Sequence, residues 1–202
     1  MVRMKSRGAA DKQSMRRECI LGLICLLVAR VQGAELSGNA QAAGKPVQYA
    51  VIWLDAPKAP GYVQSKPVVL DQTNLSFSPP VLAIRVGTAV DFPNHDRVFH
   101  NVFSYRDGKK FDLGMYPAGT SKKIVFDQTG LSRVFCNIHP HMAAYVMAVD
   151  TPYFATSDEH GTFSMSNVPA GTYTFHAWRP GGETLSGSVV VDSSHSLEIK
   201  WQ

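Results

Sequence analysis

The chain has 202 residues, with 20 Lys and Arg against 16 Asp and Glu, and a formal net charge of +4 at pH 7. Residues 1–33 hold seven of the basic residues and two of the acidic ones, so the remainder has a net charge of −1. The basic charge therefore belongs to the N-terminal segment. Without it, a nucleic-acid-binding function loses its main support.

Residues 1–33 indicate an export signal. A pair of arginines precedes an apolar run over residues 19–29, and small or modest residues lead to Gly33. An apolar run of this kind is too short to span a bilayer comfortably. We predict a signal peptide over 1–33, with Met15 as an alternative start to Met1. An uncleaved membrane anchor is the alternative interpretation.

Strand signals fill the rest of the chain. Runs rich in β-branched and aromatic residues occur, in chain order, at 47–54, 81–86, 89–92, 101–105, 123–126, 133–136, 145–149, 172–178 and 187–191. Gly, Pro, Asn or Asp usually closes each run. No stretch sustains a helical apolar stripe over three turns. We therefore predict an all-β protein of sandwich type with room for two small cores.

The segment from Cys136 to Met142 places a thiol, two imidazoles and a thioether within seven residues, and His100 stands upstream in a strand-like run. Two imidazoles, one thiolate and a weak axial Met are the ligands of a mononuclear copper electron-transfer site. Soft sulfur stabilises Cu(I) and imidazole tolerates Cu(II), so such a site can pass single electrons. The pattern predicts one copper ion that cycles between Cu(I) and Cu(II).

The cysteine count supports this interpretation. Cys19 and Cys25 lie in the predicted signal, so Cys136 is the one cysteine of the mature chain and has no internal disulfide partner. The plain alternative is a buried cysteine that acts as a small apolar side chain. Zinc is a second alternative, but structural zinc sites prefer four strong ligands and gain little from Met.

The other histidines leave alternatives open. His141 could ligate in place of His139 or Met142. His95 lies in a polar, turn-like segment and is interpreted as a solvated loop residue, with a supporting role near the metal as the alternative. The remaining histidines, His160, His176 and His195, are interpreted as surface or strand residues. No nucleophile motif or Gly-rich phosphate loop is found, so we do not expect an enzyme.

The run His100-Asn101-Val102-Phe103 and the motif Cys136-x-x-His139-x-x-Met142 resemble the cupredoxins, and the short ligand loop looks most like that of amicyanin. Residues 77–154 resemble bacterial plastocyanin-like proteins labelled methylamine-utilisation proteins. The resemblance implies a Greek-key β-sandwich over 59–150.

The same resemblance implies roles for single residues. His100, Cys136 and His139 would be equatorial ligands and Met142 the axial one. Asn101 would join the two ligand segments by hydrogen bonds. An apolar docking rim would consist of Pro140, Ala143 and Ala144.

A second resemblance covers the C-terminal part. Gly161-x-Phe163 and Val168-Pro-x-Gly171-x-Tyr173 resemble carboxypeptidase-regulatory-like, transthyretin-type sandwiches. Such domains usually open with a Gly-x-Pro turn, which is missing after Asp150 but present at 44–46. We therefore hypothesise a discontinuous module of residues 35–58 and 151–202 around the cupredoxin domain. The alternative makes 35–58 an extra cupredoxin strand.

Together these features predict an exported, periplasmic bacterial blue-copper-type protein that transfers single electrons between redox protein partners such as a cytochrome or a dehydrogenase. After signal cleavage we expect no membrane attachment. One alternative is a copper carrier or chaperone that holds Cu(I) for delivery. A further alternative is a copper enzyme with an open coordination position in place of the axial Met.

Overall fold

The computed structural model describes residues 33–56, 66–105, 107–192 and 196–202, and these residues form strands joined by turns and loops. The strands are β1 (Ala34–Ala42), β2 (Lys45–Pro46), β3 (Val51–Leu54), β4 (Val68–Val69), β5 (Asp71–Thr73), β6 (Ser76–Ser78), β7 (Val81–Arg85), β8 (Thr88–Pro93), β9 (His100–Ser104), β10 (Phe111–Tyr116), β11 (Ser121–Phe126), β12 (Gly130–Phe135), β13 (Ala143–Val149), β14 (Phe154–Thr156), β15 (Thr162–Val168), β16 (Gly171–Trp178), β17 (Leu185–Val191) and β18 (Ser196–Trp201). The all-β prediction is confirmed over these ranges.

The predicted signal peptide lies outside the described residues except for Gly33. Residues 57–65, which include the predicted start of the cupredoxin domain, also lie outside them. Within the described ranges, no helix is long and apolar enough to cross a membrane. Each predicted strand run overlaps a strand. The main difference is at 47–50, where Tyr49 adopts a φ of 64° in a turn and the strand begins only at Val51.

The central part of the chain forms a two-sheet sandwich. One sheet has the order β10-β9-β12-β13-β7, and the facing sheet has the order β11-β8-β4. Strand β8 alternates regularly, with Thr88, Val90 and Phe92 buried and the residues between them half-buried. This period-2 pattern directs every second side chain inward. The core that results also contains Cys136 and Met142.

A second sandwich combines strands from both ends of the described chain. Its sheets have the orders β15-β1-β18 and β14-β3-β16-β17. Strand β1 lies between β15 and β18, and β3 lies between β14 and β16. Ile52 and Leu54 of β3 share a buried core with Val189 and Val191. We propose that residues 35–58 and 151–202 form one discontinuous domain, and these pairings support it.

An apolar contact joins the two sandwiches. Val51 and Trp178 of the second sandwich pack with Val81, Met147 and Val149 of the first in one buried cluster. The ring of Trp178 also meets that of Tyr145 edge-on, with centroids 5.2 Å apart. The five-stranded sheet of the first sandwich is therefore packed against the second sandwich on the face opposite its own core.

Candidate metal centre

His100 is the first residue of β9 and is fully buried. Its ring is oriented by a carboxylate, since Nε2 lies 2.7 Å from Oδ2 of Asp96. A carboxylate beside Nε2 keeps the proton on that nitrogen. The lone pair of Nδ1 is then free to bind a metal.

Cys136 follows the last residue of β12, so the alternation of that strand directs its side chain into the core, where it is 4% exposed. The segment from Cys136 to Met142 then forms a tight loop. The Met142 N–H donates to the His139 carbonyl at 2.9 Å, and the Cys136 N–H donates to the Met142 carbonyl at 3.3 Å. These two bonds return the chain to β13 and fix the spacing of the donor side chains.

Three donor atoms converge at one place. The Nδ1 atoms of His100 and His139 are 3.1 Å apart, and the Cys136 Sγ lies 3.9 Å from the first and 3.7 Å from the second. The centre of a triangle with these sides is about 2.1 Å from each corner, close to the usual length of a bond between a transition metal and imidazole nitrogen. The donors therefore suit one three-coordinate transition-metal ion. Within the described residues this is the one group of three or more His, Cys, Asp or Glu side chains with such convergence.

The Met142 side chain is 1% exposed and belongs to the same buried cluster as Cys136. His141 is exposed, whereas His139 is half-buried. The loop thus turns His139 and Met142 inward and His141 towards solvent. This arrangement favours the predicted ligand set over a set that contains His141.

Asp96 is the supporting residue that the sequence interpretation missed. Its carboxylate accepts hydrogen bonds from His100 and from the backbone N–H groups of Asn74 and Leu75. Burial raises the pKa of Asp96, but these hydrogen bonds outweigh it and hold the pKa below its usual range. The polar segment around His95 was the available signal, since it ends shortly before a ligand candidate.

The predicted link between the ligand segments is Asn101, which is buried beside His100. Its Oδ1 accepts the N–H of Asn137 at 3.4 Å, and its Nδ2 donates to Asp112 at 2.8 Å. The side chain therefore spans the strand that carries His100 and the loop that carries Cys136. It limits how far these two segments can separate.

A polar pair lies in the core of the same sandwich. The Tyr116 hydroxyl donates to the Phe92 carbonyl at 3.0 Å and accepts from Gln72 Nε2 at 2.6 Å. Burial, with a contribution from the negative charge of Cys136, raises the pKa of Tyr116 to about 12, although the hydrogen bond from Gln72 opposes this. The hydroxyl therefore stays protonated at neutral pH and keeps donating.

The other described histidines do not belong to the donor triangle. The His95 side chain is 63% exposed and contacts Asp71, which agrees with its interpretation as a loop residue. His176 stacks on Trp53, with ring centroids 5.2 Å apart, and His160 is exposed. His195 lies outside the described residues.

One expectation about the surface is wrong. Ala144 was placed in an apolar rim, but it is 2% exposed, because the alternation of β13 turns it into the core. Pro140 and Ala143 are exposed, as expected. Larger exposed apolar side chains next to the predicted ligands are Phe99 and Ile138, which the sequence interpretation did not single out.

Two family models match the chain. The model of copper binding proteins of the plastocyanin/azurin family matches residues 65–150. The model of polysaccharide lyase family 4, domain II, matches residues 145–199. The second match supports a further domain after the copper-binding one, under a different family name from the carboxypeptidase-regulatory-like one suggested by the motif.

The chain is also similar to single proteins. It is 35% identical over 68 residues to methylamine utilization protein MauL of Methylorubrum extorquens, which covers 33% of this chain and 60% of that protein. A Cu-containing nitrite reductase from Thermus scotoductus is 27% identical, with a TM-score of 0.40, over 46% of this chain and 25% of that one. Amicyanin from Paracoccus versutus is 25% identical, with a TM-score of 0.38, over 48% of this chain and 97% of that one.

The chain thus spans less than two thirds of the length of MauL and a quarter of the nitrite reductase chain. The family match nonetheless covers every residue of the donor triangle. The match and the donor set agree on the same metal. Residues 65–150 therefore form a cupredoxin domain of the plastocyanin/azurin family of copper-binding proteins, and their cofactor is copper.

Proposed function

We propose that this chain is an exported blue-copper-type protein that transfers single electrons between redox protein partners. The observation that carries the proposal is the triangle of His100 Nδ1, His139 Nδ1 and Cys136 Sγ, all within 4.8 Å of one another in a largely buried site. Bound copper would supply a one-electron Cu(II)/Cu(I) couple. The proposed ligands are these three side chains and Met142 as a weak axial donor.

The protein's own contribution is a fixed set of donors. His100 is held by Asp96, Cys136 by the end of β12, and the loop up to Met142 by its two backbone hydrogen bonds. Donors that cannot rearrange favour a geometry between the preferences of Cu(I) and Cu(II). A small change in geometry between the two states makes electron transfer fast, and this supports a carrier rather than a site that releases its metal.

The route for the electron is proposed to run through His139. This residue is half-buried, while Ile138 and Pro140 on either side of it are exposed. Phe99, next to His100, is 52% exposed. An apolar surface around a partly exposed ligand suits brief docking to a partner such as a cytochrome or a dehydrogenase. The name of the MauL relative makes methylamine utilisation a candidate context, and we propose the periplasm as the location.

The visible spectrum of the copper-loaded protein tests the proposal. An intense thiolate-to-Cu(II) charge-transfer band that disappears on reduction and returns on oxidation is the expected result. A protein that binds copper only as Cu(I), with no band after oxidation, would instead indicate copper delivery. Rapid reduction of nitrite or another small molecule by the reduced protein would indicate an enzyme.

A further inference from the structure

The hairpin of β5 and β6 ends in a two-residue turn, Asn74–Leu75, beside the metal centre. Both residues have positive φ values, 53° and 55°. This is the pattern of a type I′ turn, in which Gly is the usual choice at the second position. Leu75 has a bulky side chain, so its left-handed conformation is strained. The side chain is 48% exposed. A contact outside the turn is needed to explain why the turn is held in this way.

That contact is the Asp96 carboxylate. Oδ1 accepts the Asn74 N–H at 2.7 Å and Oδ2 accepts the Leu75 N–H at 3.0 Å. Successive N–H groups with this backbone geometry form a concave site that binds anions. The same Oδ2 faces His100 Nε2 at 2.7 Å. One carboxylate thus connects a surface turn with a buried ligand.

The hairpin holds the segment before His100 at further points. The His95 N–H donates to the Gln72 carbonyl at 2.9 Å, and His95 Nδ1 lies 2.8 Å from an oxygen of Asp71. The Asp96 N–H donates to Asn94 Oδ1 at 3.1 Å. The carboxylate therefore cannot follow a movement of His100 freely, because the backbone of the neighbouring His95 is fixed to the hairpin and the Asp96 N–H is bonded to Asn94.

We propose that Asp96, held by the Asn74–Leu75 turn, is a positioning residue that sets the orientation, the tautomer and the electronic environment of His100. The inference rests on the proposed function, because it concerns the same copper site. The negative charge beside His100 makes the imidazole a stronger donor and favours Cu(II). The turn partly compensates that charge, so an exposed surface element influences the metal.

The variant Asp96→Asn tests the charge, with Asp127→Asn as the matched control. Asp127 is an exposed carboxylate paired with Lys109, so the control removes the same charge away from the donor triangle. In Asp96→Asn we expect the visible band to remain, the reduction potential to rise and the Cu(II) affinity to fall about 10- to 100-fold. If potential and affinity stay within the range of the control, the proposal is wrong.

A metal-free measurement separates this inference from the proposed function. Nitrogen NMR of the apo protein should show His100 as the Nε2–H tautomer in the wild type and as a mixture in Asp96→Ala. An unchanged tautomer would overturn the positioning role, whatever the spectrum of the copper protein. A wild-type protein with the expected tautomer but without a blue band would contradict the proposed function alone.

The turn itself is tested at Leu75. Leu75→Gly relieves the strain and keeps both N–H groups, so the potential should not move and the protein should become more stable. Leu75→Pro removes one N–H and cannot adopt the positive φ, so the potential should rise as in Asp96→Asn. If Leu75→Pro does not fold, the potentials of Asp96→Asn and Leu75→Gly still test the positioning role. A raised potential in Asp96→Asn and an unchanged one in Leu75→Gly support it, and an unchanged potential in both variants overturns it. A wild-type potential in a folded Leu75→Pro variant would rule out a role of the turn.

Discussion

His100 and His139 direct their Nδ1 atoms at one another across 3.1 Å, although 39 residues separate them in the chain. The orientation of each ring depends on other residues. His100 is oriented by Asp96, and His139 by the short loop that Met142 closes. The two nitrogens therefore meet because two separate local structures are fixed on the same end of one sandwich. We therefore expect copper binding in this domain to depend on both local structures.

Replacing Cys136 tests whether its thiolate is a copper ligand. In Cys136→Ser the intense visible band should disappear, because the hydroxyl oxygen is a hard donor that stays protonated at neutral pH. Absorption spectra after titration with Cu(II) measure the effect. Ser132 lies on β12, four residues before Cys136, and also faces inward. Ser132→Ala is therefore a suitable control. Spectra that match the wild type in Cys136→Ser would disprove the thiolate ligand.

The axial donor makes a separate prediction. Met142→Gln should keep copper and colour while lowering the reduction potential, since an oxygen donor favours Cu(II) over Cu(I). Protein-film voltammetry gives the potential directly. Met147→Gln, at a buried methionine of the contact between the sandwiches, controls for the loss of a thioether elsewhere. A potential that rises or stays constant in Met142→Gln would mean that the thioether does not bind the metal.

The two imidazoles of the loop should behave differently. His141→Ala should leave the band and the potential nearly unchanged, because that side chain is exposed. His139→Ala should abolish the band or greatly reduce copper affinity. Added imidazole should partly restore the spectrum of His139→Ala, since a half-buried position can admit a small ligand. The reverse result for the two variants would assign His141 as the ligand.

The raised pKa of Tyr116 predicts that the stability of the protein depends on pH. The native state keeps the hydroxyl proton up to about pH 12, whereas the unfolded chain releases it near pH 10. Wild-type stability should therefore fall as pH rises from about 10 through about 12. Tyr116→Phe should be less stable by about 1–2 kcal/mol below pH 10 and should lack that fall.

Melting temperatures measured from pH 8 to 12 check this prediction. Tyr105→Phe, at a ring that is 54% exposed, should keep the wild-type profile. A Tyr116→Phe protein that loses stability over the same alkaline range as the wild type would show that another group is responsible.

The proposed discontinuous domain predicts that a fragment of residues 151–202 does not fold alone. It would lack β1 and β3, each of which is an interior strand of its sheet. Without them four strands have unpaired edges and the core loses Leu36, Ile52 and Leu54. Circular dichroism should show no cooperative melting until a peptide of residues 33–56 is added. Cooperative melting of the fragment alone would contradict the proposal.

Strand β1 shows where prediction from the sequence failed. Strand β1 is rich in small and polar residues and carries no β-branched signal, so it was not predicted. Its neighbours explain the composition, since a Cβ at Gly38 would lie 2.0 Å from the Leu197 carbonyl oxygen and 2.6 Å from the Phe163 ring. Only the packing of three strands shows why small residues are needed there.

The sequence by itself determined the metal chemistry and the fold class. A thiol, two imidazoles and a thioether within seven residues limit the metal to a few choices, because ligand softness is a property of the side chains. Period-2 alternation likewise predicts strands, since it follows from the geometry of one extended segment. Both signals are local, so no tertiary structure is needed to find them.

The tertiary structure decided which imidazole faces inward and what holds it. His139 and His141 have the same chemistry, and only the loop closed at Met142 separates a half-buried ring from an exposed one. Asp96 and the turn at Leu75 are 21 residues apart in sequence. Their contact depends on how the hairpin packs beside the segment before β9. Such contacts arise from the folding of distant segments, and no local pattern in the sequence encodes them.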